Sequence, residues 1–267
     1  MPKTRLDVLL VTRGLAESRD WAQRLIRAGE VRVNDQVIDQ PAKAFADDVA
    51  IVVEQPPKYV SRGGFKLEAA LDAFKVNPTG LVCADVGSST GGFTDCLLQR
   101  GAAKVYALDV GNNQLHWKLR NDPRVVVMEK VNVRYLDALP EPVDLAVMDV
   151  SFISLELVLP KVFGFCSLLP PEPVEGRGGD NSPSPQPSAS RGEGEVVILI
   201  KPQVEAGKEK VGKGGIVRDP AVHAEVIERI TAFCANQGWP VQGIIESPIL
   251  GTDGNKEFLA LLRRSGG

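Results

Sequence analysis

The stretch Val82-Cys-Ala-Asp-Val-Gly-Ser-Ser-Thr-Gly-Gly-Phe-Thr-Asp95 is an apolar run that breaks into glycines and then resumes in a helical pattern. Glycine at position 87 would let the backbone turn sharply after a buried strand and approach a ligand closely. Gly91 and Gly92 would let the following helix pack tightly. The stretch therefore predicts a strand, a glycine loop and a helix that together form a nucleotide-type binding site.

The spacing of the glycines bears on the identity of the ligand. A dinucleotide fingerprint reads G-x-G-x-x-G, whereas this chain has glycines at 87, 91 and 92, and Asp85 precedes the first of them. A carboxylate at that place can accept hydrogen bonds from a cationic amino-acid group, which favours S-adenosylmethionine over a pyrophosphate. The residues predicted to bind its methionine side are Asp85, Gly87, Ser88, Ser89, Gly91, Gly92 and Phe93.

Strand-like and helix-like segments alternate from about residue 58 onward. The candidate strands are Leu81–Val86, Lys104–Asp109, Val125–Lys130, Leu145–Asp149, Val196–Ile200 and Gln242–Glu246. The candidate helices are Phe93–Arg100, Leu115–Arg120, Ser154–Phe163 and Pro220–Gln237. The alternation predicts an α/β fold with a mostly parallel sheet, helices on both faces, and ligands at the carboxyl ends of the strands.

Residues at the ends of three of these strands extend the predicted cofactor site. Asp109 ends the second strand, where acidic residues bind ribose hydroxyls in nucleotide folds, and Val110 follows it. Asn132, after the third strand, is predicted to lie near the adenine, with an ordinary turn residue as the alternative. Asp149, at the end of the fourth strand, is a candidate for both cofactor binding and catalysis.

Composition limits the class of protein. The chain has 267 residues and a net charge of −3, so nucleic-acid binding would depend on local patches. No apolar run approaches the roughly 18 residues of a membrane span, and residues 1–7 lack the apolar core of a signal peptide. The four cysteines are far apart and share no metal-ligand spacing. We expect a cytoplasmic globular protein with reduced cysteines and no metal.

Residues 1–56 form a first unit that carries a basic pattern. The pattern predicts two short helices and a hairpin around Asn34-Asp35. Ser18 is the predicted N-cap of the second helix, Arg19 to Ala28. Arginines recur along the second helix and into the hairpin, and a solvated helix surface is the alternative interpretation. They are Arg19, Arg24, Arg27 and Arg32.

Two segments are predicted to lie outside the folded units. Residues 57–63 begin at the second proline of the pair Pro56-Pro57 and are interpreted as a linker, with the second unit at 64–267. Residues 170–195 are rich in Pro, Gly and Ser and contain almost no large apolar side chain. Such a segment buries too little surface to offset its ordering entropy, so we predict a disordered insertion.

Four charged residues outside the glycine loop stand out in the second unit. Lys66 begins a helix, whereas Asp149, Lys201 and Glu246 each end a buried-type strand. A lysine placed after five apolar residues is costly unless it meets a carboxylate or enters a cleft. Each could be an ordinary polar strand terminus, but together they predict a catalytic cluster at one edge of the sheet.

The first unit resembles the S4 RNA-binding domain, on the runs Arg5-Leu-Asp7, Ser18-Arg19 and Leu25 to Asn34. The second resembles the FtsJ-like ribose 2′-O-methyltransferases, and the full chain is similar to the TlyA (hemolysin A) family. The matching runs are Ser61–Leu67, Asp85–Asp95, Ala107–Gly111, Met148–Ile153, Lys201–Gln203 and Gly214–Arg218. The resemblance implies a Rossmann-like methyltransferase with a mostly parallel seven-stranded sheet, preceded by a small α+β S4 domain.

The same resemblance implies an activity. It is methyl transfer from S-adenosylmethionine to the ribose 2′-hydroxyl of a cytidine in ribosomal RNA or ribosomal subunits. The implied catalytic residues are Lys66, Asp149, Lys201 and Glu246, with Lys201 either a general base or a positioning cation. The implied RNA-binding residues are Arg5, Arg19, Arg24, Arg27, Arg32 and Arg62.

Three alternative functions remain at this point. A pseudouridine synthase also follows S4 domains, but the glycine loop after Asp85 would have no role in one. A membrane-active hemolysin would need an amphipathic basic stretch or an apolar hairpin of membrane length, and we identify neither. The third alternative is an RNA-binding ribosome-assembly factor without catalysis. The intact set of four charged residues argues against it.

Overall fold

The computed structural model describes residues 3–16, 18–27, 29–54, 58–166 and 194–264, except for the side chain at 252. The chain separates into two compact units, Met1–Lys58 and Tyr59–Gly267. Residues 59–63, which we expected in a linker, belong to the second unit. Tyr59 is buried, and the backbone N–H of Val60 donates to Asp95 Oδ2 at 2.9 Å.

The predicted insertion lies almost entirely outside the described residues, so its disorder stays a prediction. Its C-terminal boundary was wrong, because Glu195 is the first residue of a strand. Glu195 pairs with Leu145 on one side and with Arg263 on the other.

The described residues of the first unit form two helices and two small antiparallel sheets. The helices are α1 (Leu6–Thr12) and α2 (Arg19–Arg27). The strands are β1 (Lys3–Arg5), β2 (Val31–Val33), β3 (Gln36–Val37), β4 (Ala44–Ala46) and β5 (Ile51–Val53), ordered β1-β4 and β3-β2-β5. Asn34 and Asp35 both have positive φ, as a two-residue hairpin turn requires. Ser18 caps α2 as predicted, since its Oγ accepts from Trp21 N at 3.2 Å.

The second unit is built on a seven-stranded sheet ordered β11-β12-β10-β9-β6-β7-β8. Its strands are β6 (Val82–Val86), β7 (Lys104–Asp109), β8 (Val125–Glu129), β9 (Leu145–Met148), β10 (Glu195–Ile200), β11 (Val241–Glu246) and β12 (Phe258–Arg263). Five neighbouring strands are parallel, whereas β12 runs antiparallel to β10 and β11. Six strands match our candidates within two residues, and β12 is the one that they omitted.

Helices cover both faces of this sheet. They are α3 (Gly63–Phe74), α4 (Gly92–Gln99), α5 (Trp117–Arg120), α6 (Leu155–Phe165), α7 (Pro202–Glu205) and α8 (Pro220–Asn236). Adjacent residues of β6 belong to different apolar cores: Cys83 packs with helices α3, α4 and α5, and Ala84 packs with α6 and α8. Both faces of β6 are therefore buried, as expected of a central parallel strand. Within the described ranges, no helix is long and apolar enough to cross a membrane.

Candidate active site

Two adjoining cavities open at the edge of the sheet where the parallel strands end. The first has a volume of about 520 Å³ and the second about 480 Å³. Both are lined by Gly87, Ser89, Asp149 and Ser151, which therefore mark the boundary between them. This is the edge at which an open α/β sheet binds its ligands.

Gly87 makes the sharp turn at the end of β6. Its φ is +85°, and a Cβ built there would lie 2.4 Å from the backbone oxygen of Asp149. The next turn residue, Ser89, also has a positive φ of 47°. The loop thus brings the backbone at Gly87 closer to the backbone at Asp149 than any side chain at position 87 would allow.

Replacing Gly87 with alanine should disrupt the site. Because the new methyl group would overlap a backbone atom in addition to straining φ, we expect about 1–3 kcal/mol of destabilisation and much weaker ligand binding. Gly80→Ala is the matched control, since φ is +76° at Gly80 but a Cβ would meet nothing within 4 Å. Thermal unfolding and cofactor titration of both variants check this. Equal unfolding temperatures and equal cofactor affinities of the two variants would contradict the close approach of Gly87 to the Asp149 backbone.

Gly91 packs closely against α5. A Cβ there would lie 2.3 Å from Leu119 Cδ1, which agrees with the predicted tight packing. Contact of Gly91 with the cofactor stays a prediction. Gly92 lines the first cavity, and its Cβ would lie 2.3 Å from Ser61 Oγ.

Asp85 is a fully buried carboxylate at the first cavity. Its Oδ2 accepts from the backbone N–H of Thr94 at 2.9 Å and from Thr94 Oγ1 at 2.6 Å. Its Oδ1 has no hydrogen-bond partner in the described part of the chain. Burial raises the pKa of Asp85 to about 7, opposed by the hydrogen bonds from Thr94. An unpaired buried carboxylate oxygen at a cavity is suited to a cationic ligand group.

The second cavity contains the other predicted cofactor residues. Asp109, Val110 and Asn132 all line it. Asp109 accepts from the backbone N–H groups of Ser89 at 2.8 Å and Gly111 at 2.7 Å, which fix its carboxylate. Asn132 Oδ1 accepts from Arg134 N at 3.1 Å, so Asn132 also caps a short 3₁₀ turn, Val133–Tyr135. The turn-residue alternative therefore describes Asn132, and its contact with the adenine stays a prediction.

Lys201 forms the first of two lysine–carboxylate pairs in the first cavity. It follows β10 and directly precedes Pro202, which begins α7 and favours an extended conformation at position 201. Its Nζ lies 2.6 Å from Asp149 Oδ1 and donates to Ser151 Oγ at 2.7 Å. An ammonium has three N–H donors, so at least one remains for a substrate beside these two contacts. Ser151 was not among our predicted site residues.

Lys66 forms the second pair, with Glu257. Its Nζ lies 2.5 Å from Glu257 Oε2, and the side chains of Lys66 and Glu257 are only 11% and 2% exposed. Gln203 Nε2 donates to the other carboxylate oxygen, Oε1, at 3.2 Å. Lys66, Glu257, Asp149 and Lys201 all line the first cavity.

Glu246 does not join this cluster, so our expectation that it converges with the other three was wrong. It is exposed, lies 3.2 Å from Lys256 Nζ and lines a separate cavity. The reason is the strand order: β12 lies between β10 and β11, which moves the end of β11 one strand further out. Because β12 is antiparallel, its beginning lies at the ligand edge, and Glu257 immediately precedes it.

The predicted RNA-binding arginines are exposed except Arg32, which is half-buried, and the five in the first unit differ in their contacts. Arg5 and Arg19 both contact Asp7, and Arg32 pairs with Glu54. Arg27 Nη2 donates to Gln23 Oε1 at 3.3 Å, and Arg24 is exposed on the same helix. In the second unit, Arg62 lines the first cavity.

The cysteines and acidic residues show no metal site in the residues that the structure describes. All four cysteines are free thiols and buried. Burial raises the pKa of Cys166 and of Cys234 to about 12 in each case. These thiols therefore stay protonated and belong to the apolar core.

Family models, curated proteins and a solved structure all match this chain. Residues 59–264 match the FtsJ-like methyltransferase family and residues 4–44 match the S4 domain. YqxC of Bacillus subtilis is 49% identical over 99% of this chain and 87% of its own length. The 16S/23S rRNA (cytidine-2′-O)-methyltransferase TlyA of Mycobacterium tuberculosis is 43% identical over 98% of this chain and 90% of TlyA. A solved structure from Streptococcus thermophilus, 41% identical, has a TM-score of 0.69 and covers 100% of this chain and 90% of that one.

Proposed function

This chain belongs to the FtsJ-like methyltransferase family and carries an S4 domain, and we propose that it methylates the ribose 2′-hydroxyl of a cytidine in ribosomal RNA. The methyl donor is S-adenosylmethionine. The observation that carries the proposal is the meeting of two lysine–carboxylate pairs in one cavity beside a glycine loop.

The residues present fit this donor. The unpaired Oδ1 of buried Asp85 is suited to its ammonium group, and Gly87 lines both cavities beside it. Asp109 in the second cavity is placed for ribose hydroxyls. When bound, S-adenosylmethionine supplies a methyl group on a sulfonium, which is already activated for transfer.

The chemical task of the protein is then to align a poor nucleophile, the 2′-hydroxyl. Its oxygen gains the methyl group, the donor leaves as a thioether, and the hydroxyl proton passes to solvent or to Lys201 if that amine is neutral. We propose that Lys201 contacts the 2′-oxygen through its remaining N–H, while Asp149 and Ser151 fix the direction of the ammonium. Lys66, held by Glu257, adds a second cation to the same cavity. Fixed cations stabilise the negative charge that develops on the attacking oxygen, and alignment of the reacting atoms lowers the barrier further.

Binding of S-adenosylmethionine should depend on the ionisation of Asp85. A nearby ammonium favours the charged carboxylate, and the pKa of Asp85 in the free protein is raised to about 7. Affinity should therefore increase with pH from about 5.5 to 7.5, and level off or fall as the ligand ammonium deprotonates near pH 8. Calorimetric titration of S-adenosylmethionine at several pH values in this range measures how the affinity changes with pH. Asp85→Asn should bind weakly with little pH dependence, and a flat profile for the unmodified protein would contradict the assignment.

The substrate assignment depends on the S4 unit. Its exposed arginines suit the phosphate backbone of structured RNA, which they would position without reading its sequence. We infer a cytoplasmic location for the protein because its proposed substrate, ribosomal RNA or a ribosomal subunit, is found there.

The experiment that tests the proposal maps ribose methylations in ribosomal RNA from cells with and without the gene. A 2′-O-methylated nucleotide resists alkaline cleavage, so the proposal predicts at least one cytidine that loses this resistance when the gene is deleted. Identical maps, combined with binding of the protein to ribosomal subunits, would favour an assembly factor without catalysis. Identical maps and lysis of cells by the pure protein would favour a membrane-active function.

A further inference from the structure

The first unit contains a carboxylate that is fully buried although its partners are on the surface. Asp7, in the first turn of α1, is 0% exposed, whereas the side chains of Arg5 and Arg19 are 45% and 55% exposed. Arg19 lies at the start of α2, so the carboxylate connects the two helices. Gln23, one turn further along α2, also donates to it at 2.9 Å.

The contacts use one side of each guanidinium. Arg5 donates from Nε to Oδ1 at 3.0 Å and from Nη2 to Oδ2 at 2.9 Å. Arg19 donates from Nε to Oδ2 at 3.0 Å. Since a guanidinium has five N–H donors, three on Arg5 and four on Arg19 remain after subtraction of these bonds. The outer N–H groups are those that bind phosphate in a fork.

Hydrogen bonds hold the cluster of Asp7, Arg5 and Arg19 together, and the cluster keeps a positive charge. Hydrogen bonds from Arg5, then from Arg19 and Gln23, hold the pKa of Asp7 well below its usual range in spite of burial. The carboxylate is therefore ionised at every pH at which RNA is studied. Two guanidiniums against one carboxylate leave a net charge of about +1 at the surface.

We propose that Asp7 is a positioning residue that fixes the directions of Arg5 and Arg19 so that their outer N–H groups contact RNA phosphates. The proposal rests on the proposed function only in taking RNA as the ligand. A free arginine side chain loses conformational entropy when it is immobilised on binding. Arg5 and Arg19 have already lost much of this entropy in the folded protein, because Asp7 holds them. Asp7 therefore strengthens RNA binding even though its own charge repels phosphate.

The variant Asp7→Asn distinguishes positioning from simple charge, because the two predict opposite signs. Removing a negative charge should tighten RNA binding if only the net charge matters. If Asp7 positions the arginines, binding should weaken by about tenfold. The slope of log affinity against log salt should also become shallower by about 1–2, since up to two phosphate contacts are lost. Asp20→Asn removes the same charge from an exposed position on α2 and should bind as tightly as the unmodified protein, or slightly tighter.

The measurement uses the full chain with purified bacterial ribosomal subunits, at several salt concentrations, alongside thermal unfolding. With Asp7→Asn we expect a higher KM for subunits, unchanged S-adenosylmethionine affinity and unchanged kcat at saturating subunits. Binding by Asp7→Asn equal to or tighter than that of the unmodified protein would overturn the positioning role. Failure of the unmodified protein to bind subunits would instead contradict the proposed function.

A second variant covers the case in which Asp7→Asn unfolds the first unit. Arg19→Lys keeps the charge but loses the Nε contact with Asp7 and the planar fork. We expect weaker subunit binding and a shallower salt slope from this variant. Binding equal to that of the unmodified protein would contradict the proposal.

Discussion

Replacing Lys201 with alanine is expected to abolish methylation while S-adenosylmethionine still binds. The Nζ of Lys201 is the group that contacts the substrate oxygen in the proposed mechanism, and Asp149 and Ser151 already hold it in place. Loss of a residue that moves or stabilises the reacting proton lowers kcat by about 10²- to 10⁴-fold. Methyl transfer to ribosomal subunits and calorimetric titration of the cofactor measure the two effects separately.

Lys256→Ala is the matched control for this experiment. Lys256 is an exposed lysine that pairs with Glu246 away from the first cavity, so its loss should change kcat by no more than about twofold. Lys201→Arg then tests the role itself, because arginine keeps the charge but does not accept a proton. Retained activity in that variant indicates a positioning cation, and its loss favours proton acceptance. Near-normal turnover in Lys201→Ala would refute the assignment of this residue.

The second large effect is expected at Glu257, which occupies the place that we had assigned to Glu246. Glu257→Gln removes the charge that pairs with buried Lys66 and should lower kcat by about 10²-fold or more. Glu246→Gln breaks only an exposed pair, in which both side chains are about half exposed, and should leave kcat within about twofold. Comparing kcat of these two variants is therefore a direct test of which glutamate belongs to the site.

Loss of stability is the competing explanation for an inactive Glu257→Gln, because removing one partner of a buried ion pair costs about 3–5 kcal/mol. The double variant Lys66→Gln/Glu257→Gln leaves no unpaired charge and should recover part of the unfolding temperature. It should stay inactive if the pair acts in catalysis. Recovery of methylation together with stability would show that the pair is structural.

The sequence predicted the central part of the fold because local and long-range signals agree there. The run from Val82 to Gly87 is apolar and ends in a glycine, and the structure turns at Gly87 with a φ that glycine favours. Lys201 directly follows five apolar residues, and its ion pair with Asp149 satisfies the expectation that such a lysine meets a carboxylate. Strand ends in a parallel sheet meet at one edge, so these residues could be placed together without coordinates.

Glu257 could not be found by the same reasoning, because that reasoning considered only residues that end strands. An antiparallel strand begins at the edge where its parallel neighbours end, and the direction of β12 was not predicted. The signal was present in Asn255-Lys-Glu257, polar residues directly before the apolar run Phe258–Leu262. The sequence also predicted tight packing at Gly91 but not its partner, because the contact with Leu119 depends on where α5 packs.

The central claim is that two lysine–carboxylate pairs beside the glycine loop direct methyl transfer to a ribose hydroxyl of cytidine. The measurement that tests it most directly is digestion to nucleosides, with mass spectrometry, of ribosomal subunits incubated with the protein and isotopically labelled S-adenosylmethionine. We predict labelled 2′-O-methylcytidine with the unmodified protein and none with Lys201→Ala. Label on a nucleobase, or no label in RNA while both ligands bind, would contradict the claim.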